Sequence, residues 1–330
     1  MTPAVEMLWE ADAPHAALVD RFGFKDADSA GQWVSAVVVE TWGIPVDSCN
    51  RIVMSDQNAL AWIRSDSESY ILKWSVDPKR FAHLAALANV TDWLGKEGLP
   101  VSAPVPASNG RLQVEIAGVS VGLQRQIIGE LLEVSDETQV RAAGAALARL
   151  HASLAGCPFV DELPQSATGQ RQITVRISEW IDSERSRNAP EAALHELRRL
   201  AASRSSEPLT AQLVHGDFRS ANVIVAQQRV AAILDFEEAR FDFPVVELAQ
   251  AAVLIGTKFR DWGPVSVEVH DGLKAGYQSV RPLLEVELQW WDTLVLWCSL
   301  MFIPSGDDPA GWRAAAMQLL PDSSSQPPRR

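Results

Sequence analysis

Cysteine is scarce in this chain of 330 residues, and the few cysteines are widely spaced. Cys49, Cys157 and Cys298 are odd in number and match no zinc-ligand spacing. The sequence therefore excludes a disulfide framework and a cysteine-based zinc site. It predicts a protein of the reducing cytoplasm.

Long apolar runs and a signal-peptide pattern are also missing. The most apolar stretch, Trp290 to Pro304, contains Asp292 and is shorter than the roughly twenty residues that span a bilayer. We predict that this stretch is a buried helix and that the protein has no membrane partner. The beginning of the chain carries several acids and lacks the apolar core of a signal peptide.

Basic residues are outnumbered by acidic ones, which gives a formal net charge of −13. Phosphate backbones select basic surfaces, so this charge argues against nucleic acid as a partner. The same charge is compatible with a cationic small-molecule ligand. A role in solubility alone is the favoured explanation.

Residues 1–128 are predicted to form a small strand-rich lobe that follows a helical extension over about residues 1–48. Three strand-like runs, RIVMSD, ALAWIR and SYILKW, are separated by turn-forming SDQN and SDSES. A helix is predicted over DPKRFAHLAALANVTDWLGKEG, with Pro78 near its start and Gly98 after its end. RLQVEIAG and VSVGLQRQII then predict a strand pair that turns at Ala117-Gly118, which makes five strands in all.

Residues 129–320 are predicted to form a larger lobe that is mostly helical. VRAAGAALARLHASL has helical spacing, and two more helical segments surround Trp180 and Leu194. Short strands flank the stretch LVHGDFRSANVIV, and RVAAILDF predicts another. The tail at 321–330, PDSSSQPPRR, is predicted to be disordered from its composition.

The stretch LVHGDFRSANVIV places Asp217 and Asn222 in one loop between apolar strands. If Val223 to Val225 and Val230 to Leu234 pair as a hairpin, Asp235 returns beside Asn222. Two carboxylates and a carboxamide oxygen suit Mg²⁺, and a carboxylate can orient an attacking hydroxyl in phosphoryl transfer. Any one of these residues alone is better explained by hydrogen bonds within a turn. The three together favour a functional site.

HGDFRSANVIV followed by ILDFEEARFDFPVVELA resembles the catalytic and metal-binding segments of the aminoglycoside phosphotransferase family, which includes other small-molecule kinases. The resemblance implies an α+β, two-lobed protein-kinase-like fold, with a small antiparallel-sheet N-lobe and a larger, mostly helical C-lobe. It implies Asp217 as the catalytic base or the group that orients the hydroxyl, and Asn222 and Asp235 as Mg²⁺ ligands. His215 would hold the loop. Two further acids, Asp242 and Glu247, would brace this region.

Lys73, in the apolar run SYILKWS, is one of only six lysines against 23 arginines. A cation inside an apolar strand needs a partner, although an edge strand facing water is an alternative. The resemblance matches Lys73 to the family's nucleotide-phosphate lysine. It implies that Ser55 and Asn58 in the preceding turn cover the phosphates. LQRQIIGELLE resembles the family's hinge, where the Arg125 carbonyl and the Ile127 amide would bind adenine.

The sequence departs from the family pattern at two points. Kinase-like folds carry a glutamate on the helix after the lysine strand, but residues 79–89 contain no acid. Arg219 stands where many relatives have histidine. A cation there can touch the γ-phosphate, so Arg219 is a catalytic candidate, and a structural salt bridge is the alternative.

The sequence thus predicts a kinase that uses ATP, or GTP, with Mg²⁺ to phosphorylate a hydroxyl of a small molecule. The acceptor is an antibiotic, such as an aminoglycoside or macrolide, or a metabolite, such as homoserine or an amino alcohol. A pseudokinase is the alternative, supported by the missing helix acid. A metal-dependent hydrolase ranks last, because further histidines at ligand spacing are missing. The oligomeric state is left open.

Overall fold

The computed structural model describes residues 2–66, 68–163, 171–204 and 207–321. They form two compact units. The first comprises Met1–Gly129, Cys157–Pro164 and Ala231–Glu237, and the second comprises Glu130–Gly156, Gln165–Val230 and Glu238–Arg330. The tail predicted to be disordered lies almost wholly outside the described residues.

The first unit is built on a six-stranded sheet with the strand order β1-β2-β3-β4-β6-β5. All neighbouring pairs are antiparallel except β1 and β2, which are parallel. The strands are β1 (Ala4–Met7), β2 (Ser48–Met54), β3 (Asn58–Ser65), β4 (Glu68–Ser75), β5 (Val114–Ile116) and β6 (Val119–Arg125). The helices are α1 (Pro14–Asp20), α2 (Ala27–Trp42) and α3 (Phe81–Lys96).

Alternation along β4 sets the environment of Lys73. Tyr70, Leu72 and Trp74 are buried, whereas the side chains between them are only half-buried. Trp74 packs edge-to-face against Trp33 at a centroid distance of 5.4 Å, within the core between sheet and helices. Because successive residues of a strand point to opposite faces, the packing of Trp74 directs Lys73 away from this core.

The second unit contains a three-stranded sheet, in the order β10-β9-β7, and the two-stranded pair β11-β8. Its strands are β7 (Glu130–Leu131), β8 (Gln212–Val214), β9 (Val223–Ala226), β10 (Arg229–Ile233), which runs on into the first unit, and β11 (Arg240–Asp242). Its helices are α4 (Glu137–Leu154), α5 (Ile173–Ile181), α6 (Glu191–Ala202), α7 (Pro244–Leu254), α8 (Val267–Gln278), α9 (Glu285–Met301) and α10 (Trp312–Gln318).

Two glycines let helices α4 and α8 approach each other closely. A β-carbon on Gly144 would overlap the carbonyl oxygen of Leu273, and one on Gly276 would overlap that of Arg141. Only glycine permits such backbone contact in both directions. This close packing places Tyr277 of α8 beside His151 of α4, with ring centroids 5.5 Å apart.

Most predicted elements are confirmed to within a few residues. The three strand-like runs form β2, β3 and β4, and the strand pair at Ala117-Gly118 turns through positive φ at both residues. β9 and β10 are neighbours in the sheet and are joined at Gln227 and Gln228, as the hairpin prediction requires. The apolar run from Trp290 lies in the buried helix α9, and within the described ranges no helix is long and apolar enough to cross a membrane.

The N-terminal extension is the correction. The helical prediction over about residues 1–48 is wrong at its start, because Ala4–Met7 forms a strand that pairs with Arg51–Met54. The sheet of the first unit consequently has six strands where five were predicted. Only Met7 of this strand is buried, so its sequence carries no clear alternation of apolar and polar residues.

Candidate active site

The loop between β8 and β9 depends on a glycine at its sharpest point. Gly216 has φ +88, and a β-carbon there would overlap the carbonyl oxygen of Glu238. Arg240 lies on the same side and donates from Nη1 to the Gly216 carbonyl oxygen at 3.0 Å. The glycine of the His-Gly-Asp sequence is thus required by both backbone conformation and space.

A buried carboxylate holds the start of this loop. Glu247 of α7 is 2% exposed and accepts hydrogen bonds from the backbone amides of His215, at 3.0 Å, and Gly216. His151 Nε2 donates to the same carboxylate at 2.7 Å, and the Tyr277 hydroxyl lies 2.8 Å from Nδ1 of that ring. A buried charge needs such complete pairing.

The pKa of Glu247 follows from these partners. Burial alone would raise it, but the hydrogen bond from His151, the electrostatic influence of His151 and His215 and the Gly216 amide outweigh burial. The pKa is lowered from 4.5 to about 2. Glu247 therefore remains a carboxylate over the whole physiological range.

Asp217 projects from this loop with its carboxylate oriented by two neighbours. Arg219 Nε lies 3.0 Å from each carboxylate oxygen, and Asn222 Nδ2 donates to Oδ2 at 2.8 Å and to the Asp217 carbonyl at 2.9 Å. His215 Nδ1 accepts from the Asp217 amide at 3.2 Å, which agrees with a loop-holding role. One carboxylate is thereby fixed at a defined place on a rigid loop.

Arg219 is covered by a tryptophan that the sequence did not single out. Its guanidinium lies 5.1 Å from the ring centroid of Trp262, which is 42% exposed. Arg219 itself is 8% exposed, and within the described part of the chain its Nη1 has no hydrogen-bond partner. Both proposed roles of Arg219 agree with this geometry. The salt bridge to Asp217 suits a structural role, and the unused Nη1 donor suits a contact with the γ-phosphate.

The rest of the loop is tied to the chain that follows α7. The Ser220 amide donates to the carbonyl oxygen of Ile255 at 3.0 Å, and its hydroxyl donates to the same oxygen. The Ala221 amide donates to the carbonyl oxygen of Thr257 at 3.3 Å. These contacts hold Asn222, which is 5% exposed, at the start of β9.

In the first unit, Lys73 pairs with two carboxylates of one short segment. Its Nζ donates to Asp235 Oδ1 at 2.9 Å and also contacts the Glu237 carboxylate. Burial would lower the pKa of Lys73, but the charges of Asp235 and then Glu237 outweigh it and raise the pKa above its ordinary value. Lys73 thus has partners, as a cation within an apolar strand requires, and its binding of nucleotide phosphates stays a prediction.

Glu237 is the residue that sequence reasoning missed. Its carboxylate, on a side chain 11% exposed, also binds Arg80 Nη2 at 2.8 Å and Asn58 Nδ2 at 3.0 Å. His83 Nε2 lies 3.2 Å from the carbonyl oxygen of Glu237. The only signal in the sequence was the second acid of Asp-Phe-Glu.

Helix α3 has no acid that can take the place of Glu237. Its one acidic residue, Asp92, lies near the end of the helix and pairs with Lys96 at 2.6 Å. Lys73 is therefore held by the segment after β10 and not by the helix after its own strand.

Asp235 adopts an unusual backbone conformation for a residue that is not glycine. Its φ of 60 lies in the left-handed region, which costs about 1 kcal/mol or more and is concentrated at functional sites. The side chain is 44% exposed and bonded to Lys73. The turn directs Asp235 and Glu237 toward the same ammonium group.

The remaining predicted residues lie near strand ends. Ser55 and Asn58 close the β2–β3 turn, with the Ser55 amide donating to the Asn58 carbonyl at 2.8 Å. Arg125 ends β6, and its exposed side chain lies 3.6 Å from Glu68. Ile127 follows in the connection to β7. Nucleotide binding by these residues stays a prediction.

Two groups of predicted residues are thus each brought together. Asp217, Arg219 and Asn222 meet in the second unit, while Lys73, Asp235 and Asn58 meet around Glu237 in the first. Asn222 donates its amide nitrogen to Asp217, so its oxygen is the atom suited to a metal ion. The carboxylate of Asp235 likewise offers oxygen atoms, which are the ligands that Mg²⁺ prefers.

The described residues give little support for a metal site built from nitrogen or sulfur ligands. Within residues 2–66, 68–163, 171–204 and 207–321, no group of three or more His, Cys, Asp or Glu side chains can hold a metal ion. Mg²⁺ does not need such a group, because it binds one or two carboxylates together with water and phosphate oxygens. The donor set therefore fits Mg²⁺ better than zinc.

Comparison with known proteins decides the family. The model of the phosphotransferase enzyme family, APH, matches residues 51–285, which is more than half of the chain. The chain belongs to this family. The match includes Lys73, the His215–Asn222 loop and the Asp235–Glu237 segment.

Curated relatives of this APH-family chain include homoserine kinases at low identity. That of Agrobacterium fabrum is 28% identical over 200 residues, covering 59% of this chain and 60% of the relative. That of Cupriavidus metallidurans is 24% identical over 236 residues, covering 68% and 69%. The match to the Agrobacterium enzyme thus spans less than two thirds of that protein.

Solved structures extend the likeness over most of the chain. A macrolide 2′-phosphotransferase from Brachybacterium faecium has a TM-score of 0.59 at 14% identity, covering 91% of this chain and all (100%) of that chain. An amicoumacin kinase, solved with AMP-PNP and Ca²⁺, has a TM-score of 0.60 at 14% identity, covering 87% and 91%. The α+β, protein-kinase-like fold class is confirmed.

Proposed function

We propose that this APH-family protein transfers the γ-phosphoryl group of ATP to a hydroxyl of a small molecule. The observation that carries the proposal is the Asp217 carboxylate, fixed by Arg219 and Asn222 on a loop that a buried carboxylate anchors. A rigid carboxylate of this kind suits a phosphotransferase, because phosphoryl transfer relies on positioning more than on covalent chemistry.

Asp217 would orient the acceptor hydroxyl and accept its proton as the new O–P bond forms. Lys73 would bind the α- and β-phosphates, since its charge is kept by two carboxylates. Arg219 would place its unused Nη1 donor near the γ-phosphate. The first unit would thus bind the nucleotide, with Ser55, Asn58, Arg125 and Ile127 as further contacts, and Asp217 of the second unit would orient the hydroxyl that receives the phosphoryl group.

Asn222 and Asp235 would hold Mg²⁺, whose charge offsets that of the phosphate oxygens. Relatives support the binding of a nucleotide and a metal ion. The amicoumacin kinase was solved with AMP-PNP and Ca²⁺, and a spectinomycin phosphotransferase was solved with ADP. We infer that ATP is the donor, and GTP remains to be compared in the same assay.

The acceptor class is proposed from two groups of relatives. Curated relatives are homoserine kinases, and structural neighbours phosphorylate antibiotics such as macrolides and spectinomycin. In this chain, Asp217 would orient a hydroxyl of such an acceptor. The net charge of −13 is compatible with a cationic acceptor. Homoserine is therefore the first acceptor to test, followed by amino alcohols, macrolides and aminoglycosides.

A pseudokinase is the less favoured alternative. Its support was the missing acid on α3, and Glu237 now supplies Lys73 with a carboxylate from another segment. A protein that has lost turnover has no need for the Asp217, Asn222 and Lys73 arrangements that this chain retains.

The deciding experiment measures ADP release from ATP and Mg²⁺ with each acceptor of this panel. We expect one acceptor class to raise ADP release well above the rate with ATP alone. Asp217→Asn should lower kcat by about a thousandfold or more while leaving the affinity for ATP within about twofold. Unchanged turnover in this variant would contradict the assignment of Asp217.

The neighbouring exposed residue Glu238 provides the matched control, since Glu238→Gln changes one acid of the same region outside the proposed machinery. Thermal unfolding with and without ATP separates a binding defect from a chemical one, because a nucleotide that binds only the folded state raises Tm. Stabilisation of the wild-type protein by ATP without ADP release for any acceptor would favour the pseudokinase.

A further inference from the structure

Lys73 and Arg80, two cations of the first unit, converge on a single acid. Lys73 Nζ contacts the Glu237 carboxylate, and Arg80 Nη2 lies 2.8 Å from Glu237 Oε2. The side chains of the cations are 26% and 31% exposed, whereas that of Glu237 is 11% exposed. Glu237 is therefore the buried centre of this group.

Two further contacts fix the position of Glu237 itself. Asn58 Nδ2 donates to Oε2 at 3.0 Å from the start of β3, and His83 of α3 lies 3.2 Å from the backbone carbonyl. The glutamate is thus held by four residues that come from β3, β4, α3 and the turn before α3. An acid held this way is more rigid than a surface ion pair, which is usually mobile.

We propose that Glu237 is the positioning residue of Lys73 in phosphoryl transfer, taking the part that a glutamate on the helix after the lysine strand plays in protein kinases. The geometry requires no additional group: Glu237 and Asp235 hold the ammonium between them, and Arg80 balances the second negative charge. This inference rests on the proposed function, because it assigns Lys73 to the nucleotide phosphates.

The alternative role for this acid is that of a second metal ligand beside Asp235. The contacts favour positioning, since both carboxylate oxygens already face cations or an amide donor. A metal ion would have to compete with Lys73 and Arg80 for the same oxygens. The two roles predict different dependence on Lys73 and on Mg²⁺.

The test is a double-mutant cycle of Glu237→Gln and Lys73→Met, read as kcat/KM for ATP with the best acceptor. We expect Glu237→Gln to lower kcat/KM by about tenfold or more, and to lower it by less than about twofold when Lys73 is already Met. Equal losses in both backgrounds, or an unchanged value in the single variant, would overturn the proposal.

A Mg²⁺ titration of the same variants tests the metal role directly. Glu237→Gln should leave the Mg²⁺ concentration for half-maximal activity within about twofold of the wild type. A shift toward higher Mg²⁺, with activity restored at saturation, would assign Glu237 to the metal and overturn the positioning role. Glu238→Gln is the matched control and should behave as wild type, because its side chain is exposed.

Binding of ATP in EDTA keeps this inference separate from the proposed function. Glu237→Gln should weaken metal-free ATP binding by about fivefold, and Lys73→Met should abolish that difference. Tighter binding in Glu237→Gln would mean that the acid only repels the nucleotide, and the proposal would fail. If no acceptor is phosphorylated, the proposed function fails while this binding cycle still reports on Glu237.

The variant Glu237→Asp distinguishes a loss of positioning from a folding defect. Glu237→Asp keeps the charge but withdraws it by one methylene, so kcat/KM should lie between those of wild type and Glu237→Gln. Urea unfolding of each variant verifies that the first unit is intact. Glu237→Asp could be as impaired as Glu237→Gln and still have wild-type stability. That result would agree with positioning only if the loss again disappears when Lys73 is Met.

Discussion

Lys73 and Asp217, the two proposed reactive residues, are held in contrasting ways. Lys73 is held by charge-assisted hydrogen bonds to two carboxylates, at a partly exposed site on an antiparallel sheet. Asp217 is fixed by hydrogen bonds on a loop whose anchor, Glu247, is 2% exposed. Both side chains are partly exposed, at 26% for Lys73 and 22% for Asp217, but Glu247 under the Asp217 loop is more deeply buried than Glu237 beside Lys73, which is 11% exposed.

This difference implies that the contacts of Lys73 can change on ligand binding, whereas those of the Asp217 loop are permanent. Partly exposed ion pairs weaken with salt, so the Lys73 ammonium can shift toward bound phosphates while Arg80 and Asn58 keep Glu237 in place. A buried, fully bonded carboxylate loses several kcal/mol if a partner is removed, so the Asp217 loop is rigid before any ligand arrives. We expect substitutions near Lys73 to affect turnover and those near Glu247 to affect folding as well.

Among the substitutions that test this contrast, Gly216→Ala should have the largest effect on turnover. The added methyl group meets the Glu238 carbonyl oxygen in a backbone conformation that disfavours alanine. The loop must shift, so kcat should fall by about a hundredfold or more, and the free energy of unfolding should fall by about 2–3 kcal/mol. ADP release and urea unfolding measure the two effects.

Gly156→Ala is the control for this substitution. A β-carbon on Gly156 lies no closer than 3.7 Å to Ser153 O, which is an ordinary contact. Wild-type activity in Gly216→Ala would mean that the loop adapts, and the contrast between a rigid loop and an adjustable lysine would fail.

Glu247→Gln tests the contrast through stability, because it places an amide donor among groups that all donate to the carboxylate. At about pH 7 the free energy of unfolding should fall by about 3 kcal/mol. For Glu237→Gln the loss should be about 1 kcal/mol or less. Equal losses in the two variants, measured by urea unfolding, would remove the contrast between the two regions.

The pH dependence of this stability difference has a defined sign. The pKa of Glu247 is lowered from 4.5 to about 2 in the folded protein. Its stabilisation is therefore complete above the unfolded value and is lost as the pH falls toward the folded one. The gap between wild type and Glu247→Gln should be constant down to about pH 5 and narrow below it. A constant gap at about pH 3 would contradict the lowered pKa.

The smallest effect concerns His270 of α8, whose buried ring Nδ1 has no hydrogen-bond partner in the described part of the chain. Burial lowers its pKa from 6.5 to about 4, despite the nearby acids Asp271 and Glu268. The unfolded state binds the proton more tightly, so wild-type stability should decline as the pH falls from 6.5 toward 4.

His270→Leu cannot take up this proton and should be the more stable protein at about pH 4, by about 2 kcal/mol. Near neutral pH the two proteins should differ by less than about 1 kcal/mol. Urea unfolding midpoints across this range make the measurement. Parallel pH profiles would show that His270 is not the group responsible.

Elements with local signals could be predicted from the sequence. Asp217 and Asn222 lie in one short motif, and the alternation of β4 identified Lys73 as an exception within an apolar strand. Helix α9 and the Ala117-Gly118 turn followed from apolar run length and turn chemistry. These features depend on residues close together in the chain, so spacing alone is informative.

Features that depend on distant contacts could not be predicted. The partner of Lys73 lies 164 positions later in the sequence, and no spacing rule connects the two. Strand β1 is stabilised by pairing with β2 and carries no apolar alternation of its own. His151 and Tyr277 support Glu247 through close packing of α4 and α8, which becomes visible only once Gly144 and Gly276 are brought together.

The location of Glu237 also bears on regulation. Protein kinases are switched by moving a helix, because the glutamate that binds the catalytic lysine is carried on it. Here both counter-charges of Lys73 are carried on residues 235–237, and α3 contributes only the His83 contact to a carbonyl oxygen. Displacing α3 would disturb the His83 contact and the ion pair of Arg80 at the start of the helix, but it would leave both ion pairs of Lys73 in place. Such an enzyme lacks the helix-based off state and is expected to be active whenever its substrates are present.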